Sequence, residues 1–244
     1  MLNGTNRQGL IVYDGESSLD YGIVVSEAPS FDRGARKGTI ANVPGRNGSV
    51  LFQEDAFSDV TRDYRVWLTD DAKKDLVTYV NEFTAWLYSK RGYLRLEDSF
   101  EPDTFRLAYF NGGQEIENRM MQAGETTISF TCRPERFYKT GEQVIEIQNG
   151  DVIVNDTRFA SKPLIYIEAS SETVTVSIGD ESIVAEVDDY IYIDCERMNA
   201  YRLASENKNA DVSGDFPTIK PGSNNISITG TVTKVTIVPR YYTI

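Results

Sequence analysis

FPTIKPGSNNISITGTVTKVTIVPRYYTI, residues 216–244, is the most informative stretch of the chain. Pro217 and the Pro221-Gly222 pair mark a turn, because proline fixes φ and glycine tolerates the conformations that turns require. Residues 225–229 then alternate, Gly230 interrupts, and residues 231–238 alternate again before Pro239-Arg240-Tyr241-Tyr242. Two β-branched runs around one glycine predict a β-hairpin.

Upstream of that stretch the pattern stays strand-like. Residues 143–147, 164–168, 173–178, 182–187 and 190–194 read as short strands, and no helical periodicity interrupts them. Short strands at close, regular spacing predict a β-sandwich. Residues 133–141, RPERFYKTG, are polar apart from two aromatics and are read as a domain boundary. The expected division is 1–138 and 139–244.

The first half mixes strands with one helix. Residues 9–13 and 21–25 are apolar runs split by Asp14-Gly15. Residues 37–43 and 49–53 flank Pro44-Gly45-Arg46-Asn47-Gly48, which holds two turn signals and predicts a long hairpin. Residues 60–68, VTRDYRVWL, alternate with Val60, Arg62, Tyr64, Val66 and Leu68 on one face. Arg62 breaks that face, so it is expected at an edge or an interface. A helix over about 71–90 follows from Leu76, Val80, Phe83 and Leu87, which share one helical face that Trp86 widens. Asp70 or Asp71 caps it, Lys90 and Arg91 suit its negative end, and Gly92 stops it. Residues 93–96, 105–110, 114–121 and 126–132 complete the half as strands.

Composition excludes several classes. The 244 residues include no histidine, which removes Ser-His-Asp and Cys-His nucleophile activation and histidine metal sites. Formal net charge is -12 with no long basic run, so tight nucleic-acid binding is not expected. No run of about 18 apolar residues supports a membrane helix, and the first residues lack a secretory pattern. Cys132 and Cys195 are too few and too far apart for a disulfide framework and are read as reduced, half-buried strand residues. The Asn-x-Ser/Thr triplets at Asn3, Asn47, Asn155 and Asn225 are then chance matches. Asp180-Glu181, Asp188-Asp189 and Asp194-Glu196 concentrate carboxylates, but none has EF-hand spacing, and they are read as strand-end acids facing water. No phosphate-binding glycine loop is present. No catalytic, cofactor-binding or metal residue is therefore expected, and the chain is read as a non-enzyme.

Six motifs in order resemble the siphophage distal tail proteins. They are Ser18-Leu19-Asp20-Tyr21-Gly22-Ile23-Val24-Val25, the turn Val43-Pro44-Gly45-Arg46-Asn47-Gly48, the helical Ala85-Trp86-Leu87, the run Ile128-Ser129-Phe130-Thr131-Cys132-Arg133-Pro134 after Gly124, Tyr190-Ile191-Tyr192-Ile193-Asp194, and the close from Gly214-Asp215-Phe216-Pro217 to Tyr242. The resemblance spans nearly the whole chain. It implies a mainly β protein whose N-terminal β-sandwich carries one α-helix and a long hairpin, followed by a galectin-like β-sandwich. It further implies a structural subunit of the virion tail tip or baseplate. In that role six copies form a ring, single or in two stacked rings, around the tail channel. The ring joins the tail tube protein to the tip protein and receptor-binding proteins and lets DNA pass without specific binding. A ring needs heterologous contacts, and the hairpin tip at Val43, Pro44, Gly45, Arg46, Asn47 and Gly48 is the candidate subunit interface. An acidic channel wall would suit DNA passage. The rival reading is a carbohydrate-binding module or adhesin for host-surface sugars, because the second half resembles a lectin-type sandwich. That half has no Trp and no His, so the galectin sugar residues do not carry over, and Tyr190, Tyr192, Tyr201, Tyr241 and Tyr242 are left as platforms.

Overall fold

A computed structural model describes residues 9–30, 33–69, 76–112, 124–203 and 206–244. The chain divides into two compact units, Met1–Arg136 with Ile244 and Phe137–Thr243.

The first unit is built from β1 (Ile11–Tyr13), β2 (Glu16–Ser17), β3 (Ile23–Val25), β4 (Arg36–Ala41), β5 (Val50–Phe57), β6 (Val60–Leu68), α1 (Leu76–Ser89), β7 (Leu94–Asp98), β8 (Thr104–Phe110) and β9 (Glu125–Tyr138). Seven of these strands form one sheet in the order β2-β1-β7-β8-β9-β6-β3. Gly9, just before β1, bridges back to Val25 of β3 through N···O contacts of 2.9 and 2.8 Å. The two facing walls expected of a sandwich are thus one sheet curled until its ends meet, which leaves no long open edge in it among the described residues.

Alternation explains the wall. Along β6, Val60, Tyr64 and Val66 point inward and are buried, while Thr61, Asp63 and Arg65 face outward. The helix supplies the plug, with Val80, Phe83, Trp86 and Leu87 joining Ile11, Tyr13, Ile23, Tyr64, Ile128 and Phe130 in one core. Trp86 stacks on Tyr21 at 4.8 Å and meets Tyr13 edge-on at 6.3 Å, so it is packing, as its place on the helical stripe suggests. Gly92 adopts φ 78° just past the helix. Lys90 does not serve the helix end alone, since its ammonium pairs with Asp14 and Glu16. The expected cap at Asp70 or Asp71 and the expected strand 114–121 lie outside the described residues.

Arg62 corrects one expectation. It is neither at an edge nor at a surface; it is the largest fully buried side chain among the described residues, 1% exposed. Its position on the inward face of β6 forces the guanidinium into the core, and the chain surrounds it with acceptors.

The second unit comprises β10 (Ile145–Glu146), β11 (Val152–Asn155), β12 (Leu164–Ile178), β13 (Glu181–Asp194), β14 (Asn199–Arg202), β15 (Glu206–Asn207), β16 (Val212–Gly214), β17 (Gly222–Thr229) and β18 (Lys234–Val238). The four short strands expected over 164–194 are two long ones. β12 and β13 pair along their length and bend at a bulge between Ala169 and Glu172, where Ser171 takes φ 51° and Asp189 φ 76°. The exposed Ser170-Ser171-Glu172 that mimics a loop in sequence is that bulge. On one side of the bend the strand order is β10-β18-β12-β13-β14-β15; on the other, β11-β17-β12-β13-β16. Ile165, Ile167, Ile191 and Ile193 from the first arm and Val174, Val176, Ile183 and Ala185 from the second share one core.

The closing stretch is not a hairpin. β17 pairs with the far half of β12 (Thr175–Ile178) and β18 with its near half (Leu164–Glu168), so the two lie end to end along one strand. Gly230 sits at the junction with φ 99°, where an added Cβ would come within 2.6 Å of the Thr173 carbonyl oxygen. The β-branched pattern reports strands but not their partner, and β12, by bending, offers two successive edges.

The two units part within the expected boundary segment, at Arg136/Phe137. β9 continues through Arg133-Pro134-Glu135-Arg136 to Tyr138 as half-buried strand. Both cysteines are free and fully buried, beyond the half-burial expected. Burial dominates in pushing the Cys132 thiol up to about 11 and the Cys195 thiol up to about 12.

Candidate functional site

The hairpin predicted around Val43 to Gly48 is an arm. Among the described residues, β4 and β5 pair only with each other, in a two-stranded sheet of their own. Their register places Ile40 opposite Leu51, Thr39 opposite Phe52 and Ala41 opposite Val50. At the tip, the Arg46 N–H donates to the Val43 carbonyl at 3.2 Å across Pro44-Gly45, with Gly45 at φ 79°. That is a tight turn with proline first and a positive-φ glycine second, which the sequence dictates. Ser49 donates to the Asn42 side-chain oxygen at 2.7 Å. All six tip residues, Val43, Pro44, Gly45, Arg46, Asn47 and Gly48, are exposed.

The base of the arm is fixed. The Ser58 N–H donates to the Ala35 carbonyl at 2.9 Å, and the Ala35 N–H to Ser58 Oγ at 3.1 Å. Gly34 passes so close that an added Cβ would lie 2.5 Å from the Ser58 carbonyl and 3.0 Å from Pro134 Cβ. Arg36 lies over the Phe57 ring at 4.7 Å.

Beyond that base the arm lacks cover. Ile40 and Leu51 are 68% and 59% exposed, and Phe52 62%. Because cross-strand partners share a face, Ile40 and Leu51 make one face apolar, and Phe52 with Val50 the other. An isolated two-stranded hairpin is marginal in water, and bare strand edges with apolar faces invite pairing. The arrangement is suited to contact with another chain. Sequence reading found the tip but missed the strand faces, because Ile40, Leu51 and Phe52 look like ordinary core alternation.

Within the first unit, Arg62 centres a buried ionic network. Its Nη2 donates to Asp98 Oδ2 and Glu101 Oε2, each at 3.0 Å, and its Nη1 to the Ser30 carbonyl at 2.8 Å. Tyr64 donates its hydroxyl to Asp98 at 2.8 Å, and Arg136 binds the other Glu101 oxygen at 2.7 Å. Arg106 lies 3.6 Å from Glu101. Burial lowers the Arg62 pKa, but Tyr64, Asp98 and Glu101 outweigh it and the net shift is upward. For Arg106 burial and the nearby Arg62 prevail, and its pKa falls. The network ties β6 to β7 and to the turn after it.

The acidic pairs are scattered. Asp180 and Glu181 hold Lys220 at 2.7 and 3.2 Å, and Asp194 holds Arg240 at 2.7 Å. Asp188 accepts from Ser171 at 3.2 Å. Among the described residues no group of three or more His, Cys, Asp or Glu side chains is placed to hold a metal. Of the five candidate tyrosines, Tyr190, Tyr192 and Tyr201 come together and are joined by Tyr166. Tyr241 packs on the core and donates to the Val154 carbonyl at 3.1 Å. Tyr242 stacks on Phe159 at 5.5 Å.

The first unit is thus a curled sheet plugged by a helix and bearing an arm. The phage tail protein RIFT-related domain family matches residues 8–132, and the chain belongs to that family. The fold is that of a siphophage distal tail protein. Among solved structures, the chain is similar to the crystal structure of phage SPP1 Dit (gp 19.1), described as a paradigm of the hub adsorption apparatus in phages infecting Gram-positive bacteria. The TM-score is 0.74 at 14% identity, over 97% of this chain and 99% of that one. No curated protein matches the sequence. The protein is a structural component of the virion tail.

Proposed function

We propose that the protein forms a closed ring of six copies at the tail tip, joining the tail tube to the tip and host-adsorption proteins and letting DNA through. The arm Arg36–Phe57 carries this reading. It is anchored at Gly34 and Ser58, bears exposed Ile40 and Leu51 on one face and Phe52 on the other, and has no further strand partner among the described residues. A second copy supplies the missing cover, and head-to-tail contacts of one arm on the next subunit generate a ring when the rotation closes. The tip residues Val43, Pro44, Gly45, Arg46, Asn47 and Gly48 contact the adjoining subunit. The role is structural and non-enzymatic. The net charge of -12 disfavours adhesion of passing DNA.

Ala35 and Ser58 already hydrogen-bond across the arm's base, so residues 36–57 can be replaced by a two-residue Asn-Gly turn without disturbing β6. The shortened protein is expected to keep the cooperative melting of the full chain and to stay monomeric where the full chain assembles. A ring of the same number of copies from the shortened protein would overturn the arm's role.

A further inference from the structure

The chain carries four Asn-Gly pairs, Asn3-Gly4, Asn47-Gly48, Asn111-Gly112 and Asn149-Gly150. This dipeptide has a chemistry of its own. The glycine nitrogen, on losing its proton, attacks the asparagine side-chain carbonyl carbon. A C–N bond closes a five-membered succinimide, and the side-chain amide nitrogen takes up a proton and leaves as ammonia. Water then opens the ring at either carbonyl. One opening gives aspartate. The other gives isoaspartate, in which the main chain runs through the former side chain. In sum, asparagine and water become a carboxylic acid and ammonia, and no oxidant or cofactor enters. A following glycine favours closure because no Cβ obstructs the approach. Closure still needs the side chain and the next N–H to be unheld and able to swing into contact.

The fold grants that freedom unequally. At Asn149 both reacting groups are held against β17. Asn149 Oδ1 accepts from the Ile228 N–H at 3.0 Å, and the Gly150 N–H donates to the Ile226 carbonyl at 3.0 Å. At Asn111 the side chain is exposed, but Gly112 lies against Tyr88. A Cβ on Gly112 would stand 3.0 Å from the Tyr88 hydroxyl and 3.1 Å from its ring. That ring is itself packed edge-on against Phe110 at 5.2 Å. The backbone at Asn111 therefore has a wall beside it. Asn3-Gly4 lies outside the described residues.

At Asn47-Gly48 neither restraint is present. Both residues are exposed at the arm's tip. The hydrogen bond of the turn joins Arg46 to Val43 and stops one residue short of Asn47. The next side-chain bond joins Ser49 to Asn42 and passes Asn47 by. Among the described residues nothing hydrogen-bonds the Asn47 side chain or the Gly48 N–H. A Cβ on Gly48 would meet no atom within 4 Å, so the space around the attacking nitrogen is open.

We propose that Asn47 is a self-modifying site, which the folded, unassembled chain converts to aspartate and isoaspartate through a succinimide closed by the Gly48 nitrogen. Each conversion puts a new carboxylate beside Arg46. The isoaspartate form also adds one carbon to the main chain of a tight tip. The consequence for assembly rests on the ring reading: there the tip is covered by the adjoining subunit, so conversion is confined to free chains and withdraws them from the pool that assembles.

The test incubates the full-length folded protein at mildly alkaline pH, with a second sample in denaturant. Both are mapped as peptic peptides by mass spectrometry, and isoaspartate is read by enzymatic methylation. In the folded protein Asn47 is expected to convert about tenfold or more faster than Asn149, and ahead of Asn111. In denaturant these rates are expected to converge, because all three asparagines precede glycine and the fold no longer holds any of them. Asn47→Gln, whose closure would need a six-membered ring, is expected to stay intact at that position with an unchanged melting temperature. Conversion of Asn47 no faster than Asn149 in the folded protein would overturn the assignment. So would an intact Asn47 in the folded chain when the denatured chain converts it. The map of the free chain decides the site whether or not rings form. Rings that convert as fast as free chains would leave the site standing and refute the tip's contact with a neighbour.

Discussion

Replacing both Ile40 and Leu51 by serine removes the apolar pair from one face of the arm. Fully burying such a side chain is worth about 1.5–3 kcal/mol. Ile40 is 68% and Leu51 59% exposed in the single chain, so most of that burial is still to be gained on association. Each then contributes about 1–2 kcal/mol to a subunit contact, and the pair about 2–4 kcal/mol. At about 1.4 kcal/mol per tenfold change, the contact weakens by roughly 30- to 700-fold. The single chain should notice little, because what it loses is one exposed cross-strand pair, worth under about 1 kcal/mol. Sedimentation velocity over a dilution series reads the association, and thermal melting of the dilute protein reads the fold. The expected result is dissociation at far higher concentration than for the wild type, with a nearly unchanged melting temperature. Equal dissociation midpoints would refute the claim that the arm's faces are covered by a second copy. So would a large loss of melting temperature, which would place Ile40 and Leu51 in the fold of the single chain.

Other consequences follow from the core and the caps. Arg62→Ala strands Asp98 in the interior and should cost about 3–5 kcal/mol in chemical denaturation, whereas Arg36→Ala, whose partner Asp55 is fully exposed, should cost less than about 1 kcal/mol. Asp194 is pushed upward by burial, but Arg240 and the N–H groups of Arg197 and Glu196 prevail and hold its pKa below the ordinary 3.8. A depressed carboxylate contributes stability above its unfolded pKa and loses it as pH falls through the folded one. Stability should therefore be flat on this account above about pH 5 and decline below pH 4, with a shallower acid decline in Asp194→Asn, read by denaturant titration at several pH values. Gly34→Ala drives a Cβ to 2.5 Å from the Ser58 carbonyl; the backbone must shift, and a loss of about 1–3 kcal/mol is expected in the same measurement.

What the sequence disclosed was local. Residues 60–68 alternate cleanly and form a strand with those limits, because one face is buried along its whole length. The stripe Val80, Phe83, Trp86, Leu87 packs as a helical face should. The turn at Pro44-Gly45 carries its own chemistry. What stayed hidden depends on partners distant in the chain. Arg62 looked like an interruption because its acceptors, Asp98 and Glu101, lie 36 and 39 residues away. β17 and β18 read as a hairpin because alternation reports strand character, whereas pairing with β12 is decided by a bend at Ser171. Conversely Ile40, Leu51 and Phe52 carry a core-like pattern at positions the chain leaves bare.

The central claim is that this chain closes into a ring. Light scattering on a sizing column, with the peak imaged by negative-stain microscopy, measures it directly. One chain is 27.4 kDa. The account predicts a species of about six chain masses, or twice that for two stacked rings, seen as a ring with a central hole. A single-chain mass at every concentration, with no ring in the images, would contradict it.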